Sequence, residues 1–366
     1  MVSPIHVASV YRFTDLDALE RVLDGVDAGF YYARDGHPNR QQLADAVTRW
    51  HGGAWSIICG SGMAALCAAL VPALRAGERV VAGDFIYGRT RKLLTHELAR
   101  WGVTTQFVDT GDLDAVRQAL QVPTRVLLAE TISNPHLRVA DLPALAELAQ
   151  AHGAKLVVDN TFATPLLARP LAVGAQRVVE SLTKLLAGHS DLTLGSVTGR
   201  VDDELAETQS ACSTWGWAAG AFDCWLAERG LLTASLRFAA AQANAAALAD
   251  WLPTQPSVQS VIYPTRADHP DAALTRRLYG TGGNMLSFTL ANRDAVNAFL
   301  RHGGIPFVPS LGHVTTTCSH PATASHRYDT PAERARLGIT DGLVRVSVGI
   351  EPWPELQAAF AAGLRA

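Results

Sequence analysis

The 366 residues hold only three lysines, Lys92, Lys155 and Lys184, and the last stands in the run SLTKLLAGHS among small, apolar and hydroxyl residues. A lysine shielded from water loses proton affinity and becomes a usable nucleophile and base. Such an amine can form a Schiff base with an aldehyde. An arginine stays protonated and cannot. Ser181 and Thr183 bring hydroxyls beside it that suit a phosphate. Lys155, just after Gly153, reads as a solvated cap, and Lys92 as part of an amphipathic helix shared with Arg89 and Arg91.

Three further features bear on that lysine. In ICGSGMAALCAAL a Gly-Ser-Gly turn separates a strand pattern from a helix pattern, and backbone N–H groups at such a helix start can cradle a phosphate. Gly60, Gly62 and Ala65 also fit G-x-G-x-x-A, with Asp84 about 20 residues on, the dinucleotide fingerprint. Taken alone, the turn leaves a nicotinamide oxidoreductase and another phosphate cofactor equally open. Asp159 ends the apolar run LVVD, where a carboxylate can pair with the pyridinium nitrogen of pyridoxal phosphate (PLP) and keep that ring an electron sink. Nicotinamide chemistry requires neither the lysine nor such a carboxylate, so the pair tips the balance toward PLP. Tyr87, in FIYGRT, can stack on a flat ring. Arg345, inside the apolar run LVRVSVGIE, needs a carboxylate partner, which a free amino acid carries.

These residues must be positioned by regular elements. From Ala54 to Gly199 the runs WSIIC, ERVVAGD, TTQFVD, RVLLAE, KLVVDN and RVVES alternate with helical patterns. That alternation predicts a mostly parallel sheet covered on both faces, with function gathered at the carboxyl ends of its strands. In DLPALAELAQAHG, Asp141 is the expected N-cap and Gly153 the stop. Residues 1–45 read as an extended arm, 46–235 as a large cofactor-binding domain, and 236–366 as an α+β domain with antiparallel strands from VQSVIYP, NMLSFTL and LVRVSVGI. A hydrophobic content of 48% with 18% charged residues describes a globular protein. A net charge of −3 gives no reason to expect nucleic acid as a partner. No signal peptide or apolar span is visible, so no membrane association and a cytoplasmic location are expected. The five cysteines are unpatterned, which argues for a reducing compartment and against structural zinc; no metal is expected.

In register along nearly the whole chain, SPIHVASVYRF, YARDGHPNR, SGMAA, YGRT, ETISNP, VDNTF, SLTKLLAGHSD, FDCWLAERGLLT, SLGHVTTTCSHPA and RVSVGIE resemble the motifs of the PLP-dependent Cys/Met-metabolism family. That family includes cystathionine γ-synthase, cystathionine γ- and β-lyases, methionine γ-lyase and the homoserine-ester sulfhydrylases. The resemblance implies an α/β architecture, the PLP-dependent transferase fold of the aspartate aminotransferase type (type I), with a smaller C-terminal α+β domain. It implies that Lys184 holds the cofactor and then shuttles protons, that Asp159 meets the pyridinium nitrogen, and that Tyr87 stacks on the ring and acts in proton transfer, these three being the catalytic residues. Gly62 and Met63 would bind the phosphate through N–H groups, with Ser181 and Thr183 adding hydroxyls. Asn134 would lie near the phenolic oxygen, Thr161 on the ring face, and Arg345 with Ser310 at the substrate α-carboxylate. Tyr32 and Arg34 would reach a neighbouring subunit's phosphate, so the site would need a dimer, and two dimers a homotetramer.

The expected reaction is β- or γ-elimination on cystathionine or a related amino acid, giving a 2-oxo acid, ammonia and a thiol. The alternative is γ-replacement by a synthase. Departures from the family pattern fall at Glu180 and Leu185, where His and Tyr are frequent, and at Arg89, Pro309, His313, Thr315 and Thr316. They lie where the distal part of a substrate is expected and leave the cofactor set intact.

Overall fold

The computed structural model describes residues 3–201, 204–327 and 329–365. Seven strands form the larger sheet: β1 (Trp55–Cys59), β2 (Arg79–Gly83), β3 (Thr104–Val108), β4 (Val126–Glu130), β5 (Lys155–Asp159), β6 (Arg177–Glu180) and β7 (Gly195–Gly199). Their order is β1-β7-β6-β5-β4-β2-β3. The pairs from β3 through β2, β4 and β5 to β6 are parallel, while β7 runs antiparallel to both β6 and β1. β4 and β5 are apolar throughout except at their ends, as strands covered on both faces must be. One face packs on the helix Gly62–Leu70 through Leu66, Leu70, Val80 and Leu128. The other packs on the helices Leu113–Ala119 and Leu142–Ala151 through Val116, Leu145 and Leu156.

All six strand runs read from the sequence are present. Asp141 caps its helix by accepting a bond from the Ala144 N–H, and Gly153 takes a left-handed φ of +67°. The arm contains a short helix, Leu16–Leu23, none of whose residues is buried. Lys155 is no solvated cap. It opens β5, half-buried, and pairs with Glu204, which also holds the buried Arg177 at 2.8 Å.

Helix Ala221–Trp251 runs 31 residues to a second sheet made of β8 (Ser260–Ile262), β9 (Met285–Thr289), β10 (Thr317–Ser319) and β11 (Leu343–Ser347). Its order is β10-β11-β9-β8, antiparallel throughout. Phe288, Phe299 and Phe360 meet between this sheet and the helices Arg293–His302 and Trp353–Leu364. The site lies where the carboxyl ends of β4, β5 and β6 meet β11 and the loop before β10. No helix among the described residues is long and apolar enough to cross a membrane, and no group of three or more metal-binding side chains lies among them.

Candidate active site

Lys184 follows β6 in a tight turn, its N–H bonded to the Ser181 carbonyl at 3.1 Å. Its Nζ donates to Ser310 Oγ at 2.8 Å. Burial, with the charge of Arg345 adding to it, brings its pKa down to about 8. The loop carrying Ser310 lies directly on the lysine: a Cβ on Gly312 would come 3.0 Å from Lys184 Cα. The residues before and after are tied down as well. Gly312 N–H donates to Ser347 Oγ at 2.7 Å, and Val314 N–H to the Gly188 carbonyl at 3.0 Å.

Asp159 ends β5 and stands in register with Glu130 at the end of β4. Burial raises its pKa, and the hydrogen bonds from Thr161 oppose that rise. The Thr161 N–H reaches Asp159 Oδ1 at 3.0 Å, and Thr161 Oγ accepts the Ser181 N–H at 3.0 Å. One residue thus links the carboxylate of β5 to the turn that presents the lysine.

Ser61 caps the helix Gly62–Leu70 by accepting the Ala64 N–H at 3.1 Å. The N–H groups of Gly62 and Met63, ahead of that bond, are the orphan donors of a helix start. A side chain on Gly62 would sit 2.8 Å from Ser181 Cβ, so glycine alone lets the helix end approach Ser181. Thr183 has partners of its own at the start of the return to β7. Its hydroxyl bonds to the Leu194 carbonyl at 3.1 Å and accepts the Leu194 N–H at 3.0 Å.

Arg345, on β11, is buried, and burial pulls its pKa to about 10. Its Nη1 donates to Asn134 Oδ1 at 2.9 Å and its Nη2 to the Ser310 carbonyl at 3.2 Å. Its Nε has no partner among the described residues. A buried guanidinium with an unused N–H is a receptor for a carboxylate. Tyr87 is 39% exposed, and its N–H donates to Glu130 Oε1 at 2.7 Å. Asp84, the acid of the dinucleotide reading, is held by Arg336 at 2.8 Å.

The chain therefore brings together Lys184, Asp159, Thr161, Ser181, Gly62, Asn134, Ser310 and Arg345. Tyr32 and Arg34 stay apart on the exposed arm, where the Arg34 guanidinium lies 5.0 Å from the Tyr32 ring centre. Three groups went without a role in the sequence reading. Glu130 holds Tyr87. Glu180 accepts the Asn160 side-chain N–H at 2.9 Å and faces His51 at 3.4 Å, both buried. His313 contacts Ser190 Oγ through Nδ1. For Glu130 the available signal was its place at the end of RVLLAE, alike in kind to that of Asp159.

These residues fit PLP. The glycine-bounded cradle at Gly62 and Ser181 offers N–H and hydroxyl donors to a phosphate, Lys184 supplies the amine, and Asp159 the carboxylate for a ring nitrogen. Residues 1–365 match the profile of the family described as Cys/Met metabolism PLP-dependent enzymes. Cystathionine β-lyase of Bacillus subtilis is 38% identical over 91% of this chain and 86% of its own length. L-methionine γ-lyase of Pseudomonas putida is 36% identical over 100% of this chain and 93% of its own. Among solved structures, cystathionine γ-synthase of Xanthomonas oryzae pv. oryzae in complex with cystathionine superposes with a TM-score of 0.94 at 34% identity, covering 100% of this chain and 92% of that one.

Proposed function

Because the chain belongs to the Cys/Met metabolism PLP-dependent enzyme family, we propose that it is a carbon–sulfur lyase that removes the sulfur substituent of cystathionine or a related amino acid. The products would be a 2-oxo acid, ammonia and a thiol. The glycine turn serves PLP in this family, and the nicotinamide reading falls with it. One observation carries the assignment of roles: Lys184, with its pKa near 8, lies against Ser310 beneath the carboxylate receptor Arg345.

When bound, PLP supplies an aldehyde carbon for an amine and a ring that accepts a carbon's electron pair. Gly62, Met63 and Ser181 would hold its phosphate. Asp159 would hold the ring nitrogen, with Tyr87 and Thr161 on the ring faces and Asn134 near the phenolic oxygen. Arg345 would bind the substrate carboxylate through the N–H groups that Asn134 and Ser310 leave oriented. Ser310 Oγ keeps Lys184 Nζ pointed toward that carboxylate, so the amine would reach the substrate α-proton. A general base so placed typically contributes about 10²–10⁴-fold.

A second reading, γ-replacement, draws support from the likeness to the cystathionine-bound γ-synthase. One assay separates the two: L-cystathionine, L-methionine and an activated homoserine are offered with and without cysteine, and the products identified. A 2-oxo acid and ammonia without added thiol support the lyase. Product only when cysteine is present would replace it with the synthase.

The division of the chain into arm, large domain and C-terminal domain is part of this proposal, as are a cytoplasmic location and a dimer of dimers. Tyr32 and Arg34, exposed on the arm, would complete the partner subunit's phosphate site. Mixing inactive Arg34→Ala and Lys184→Ala proteins should then restore part of the activity. Mixtures that form hybrids yet stay inactive would refute the shared site.

A further inference from the structure

The loop after β4, residues 131–141, carries Asn134, whose Oδ1 accepts a bond from Arg345 Nη1 at 2.9 Å. One side of the loop is tied to the second sheet. The Pro135 carbonyl accepts the Ser287 hydroxyl at 2.9 Å, and Ser287 on β9 stands in register with Arg345 on β11. The loop then folds back on itself. The Arg138 N–H donates to Ser133 Oγ at 3.0 Å, the Ser133 N–H to the Arg138 carbonyl at 2.9 Å, and Ile132 bridges to Val139. A shift of Arg138 or Val139 is passed through these bonds to Ser133, and so to Asn134 beside it.

Asp271 grips the returning half of the loop. It precedes the helix Ala272–Leu278, a place where an aspartate ordinarily caps the helix N–H groups. Its side chain makes no such bond. It is turned to the loop instead: Oδ2 accepts Arg138 Nε at 2.7 Å and the Val139 N–H at 2.9 Å, and Oδ1 accepts Arg138 Nη2 at 3.2 Å. The Asp271 N–H donates to His269 Nδ1 at 3.1 Å, which fixes the backbone behind the carboxylate. Arg138 also reaches Asp109 at 3.2 Å, and a side chain on Gly111 would meet its Nη2, so the guanidinium has one seat. A second tie, Arg277 to Asp141, has a guanidinium 63% exposed, and exposed pairs contribute little. The Asp271 side chain is only 10% exposed, and a two-point, charge-assisted bond to a carboxylate so shielded is the strong kind.

We propose that Asp271 is a positioning residue for substrate recognition: by clamping Arg138 and Val139 it holds Asn134 where Arg345 receives the α-carboxylate of an amino acid. The proposal rests on the reading of Arg345 as the carboxylate receptor. Without the clamp, Asn134 no longer fixes Nη1, and the Ser310 carbonyl is left to orient the guanidinium alone. Lys184, Asp159 and Gly62 stand on other segments, after β6, at the end of β5 and after β1. Loss of the clamp therefore weakens binding of the carboxylate and spares the cofactor and the proton work. An interaction made equally before and during the reaction appears in KM and not in kcat.

The test uses the full-length holoenzyme with Asp271→Ala, Arg138→Gln and the two combined. Two ligands are titrated by the cofactor's absorbance: L-alanine, which has the carboxylate but no leaving group, and ethylamine, the same molecule without the carboxylate. In Asp271→Ala the Kd for L-alanine should rise about tenfold, while those for ethylamine and pyridoxal phosphate move less than about threefold. The combined variant should match Asp271→Ala alone, because both changes break one clamp. With L-cystathionine the loss should fall on KM rather than kcat. In the apoproteins, hydrogen exchange of the peptide holding residues 131–141 should be faster in Asp271→Ala. An unchanged Kd for L-alanine, an equal loss for ethylamine, or unchanged exchange in that peptide would overturn the proposal. Arg345→Lys separates the two readings. If it binds L-alanine as tightly as the wild type, the carboxylate receptor falls and the proposal with it; if it binds L-alanine weakly while Asp271→Ala does not, the proposal alone falls.

Discussion

Lys184→Met should abolish activity and make the apoprotein more stable at neutral pH. In the unfolded chain the lysine titrates near its ordinary 10.5, and in the fold near 8. Below about pH 8 both states carry the proton, and the fold bears the full cost of a desolvated ammonium. At about 1.4 kcal/mol per pH unit, that cost is about 3 kcal/mol. Methionine keeps most of the stem packing and removes the charge, but it also removes the bond to Ser310 Oγ, worth about 1 kcal/mol. The net gain at pH 7 is therefore about 2 kcal/mol. Between about pH 8 and 10.5 the unfolded chain binds more protons than the folded one, so wild-type stability rises with pH. The advantage of the variant should shrink over that window and vanish by its upper end. Urea unfolding of both apoproteins at equal protomer concentration, at pH 7, 8.5 and 10, measures this directly. A methionine variant less stable than wild type at pH 7, or a difference that ignores pH, would refute the claim that this amine is held in a desolvated, charge-opposed site.

Two other substitutions probe the cradle and the carboxylate receptor. Gly62→Ala places a methyl group 2.8 Å from Ser181 Cβ; overpacking of about 1–3 kcal/mol should appear as a roughly 10–100-fold weaker Kd for pyridoxal phosphate, read by fluorescence titration. Arg345→Lys keeps a cation but loses the planar fork that bonds Asn134 and Ser310. It should raise KM at least about tenfold while leaving the Lys184 pKa low, whereas Arg345→Met should raise both. The pH dependence of the rate at which each apoprotein captures pyridoxal phosphate, trapped by borohydride, distinguishes the two outcomes.

The strands of the large sheet were legible because buried parallel strands read as continuous apolar runs ending in polar residues. β7 was not, since GSVTG carries glycine at both ends and pairs antiparallel with β1, far back in the sequence, as well as with the preceding strand β6. β10 is three residues, Thr-Cys-Ser, with no alternation to see. Lys184 and Asp159 stood out because their residue types are uncommon at the ends of apolar runs. The bond that orients Lys184 did not, because Ser310 lies 126 positions away, and no local period encodes so distant a contact. The same holds for His51 facing Glu180. The resemblance implies Ser181 and Thr183 as a pair of phosphate hydroxyls, and the fold gives the two different surroundings. Thr183 is turned to Leu194 by the antiparallel return into β7, the strand that went unread.

The carboxyls at the strand ends share one desolvated environment. Glu130, Asp159 and Glu180 end β4, β5 and β6, and neighbouring strands lie about 4.8 Å apart. Glu130 stands opposite Asp159 in register, whereas Glu180 lies one position beyond the partner of Asp159, level with Asn160; desolvated carboxyls this near disfavour one another's charge. Burial pushes Glu130 and Glu180 well above the carboxylate range, and proximity to Asp159 pushes both further. His51 gives Glu180 no compensating charge, since burial and the neighbouring Arg169 bring the imidazole down to about 4. An imidazole whose charge is disfavoured and a carboxyl raised by burial therefore lie side by side at 3.4 Å. Each glutamate accepts a bond that shapes the site, Glu130 from the Tyr87 N–H and Glu180 from the Asn160 amide. Asp159 is raised by burial too, and the hydrogen bonds from Thr161, which also anchors the lysine turn, oppose that rise. A carboxyl for the ring nitrogen and an anchor for the lysine turn are thus set by a single β5 terminus.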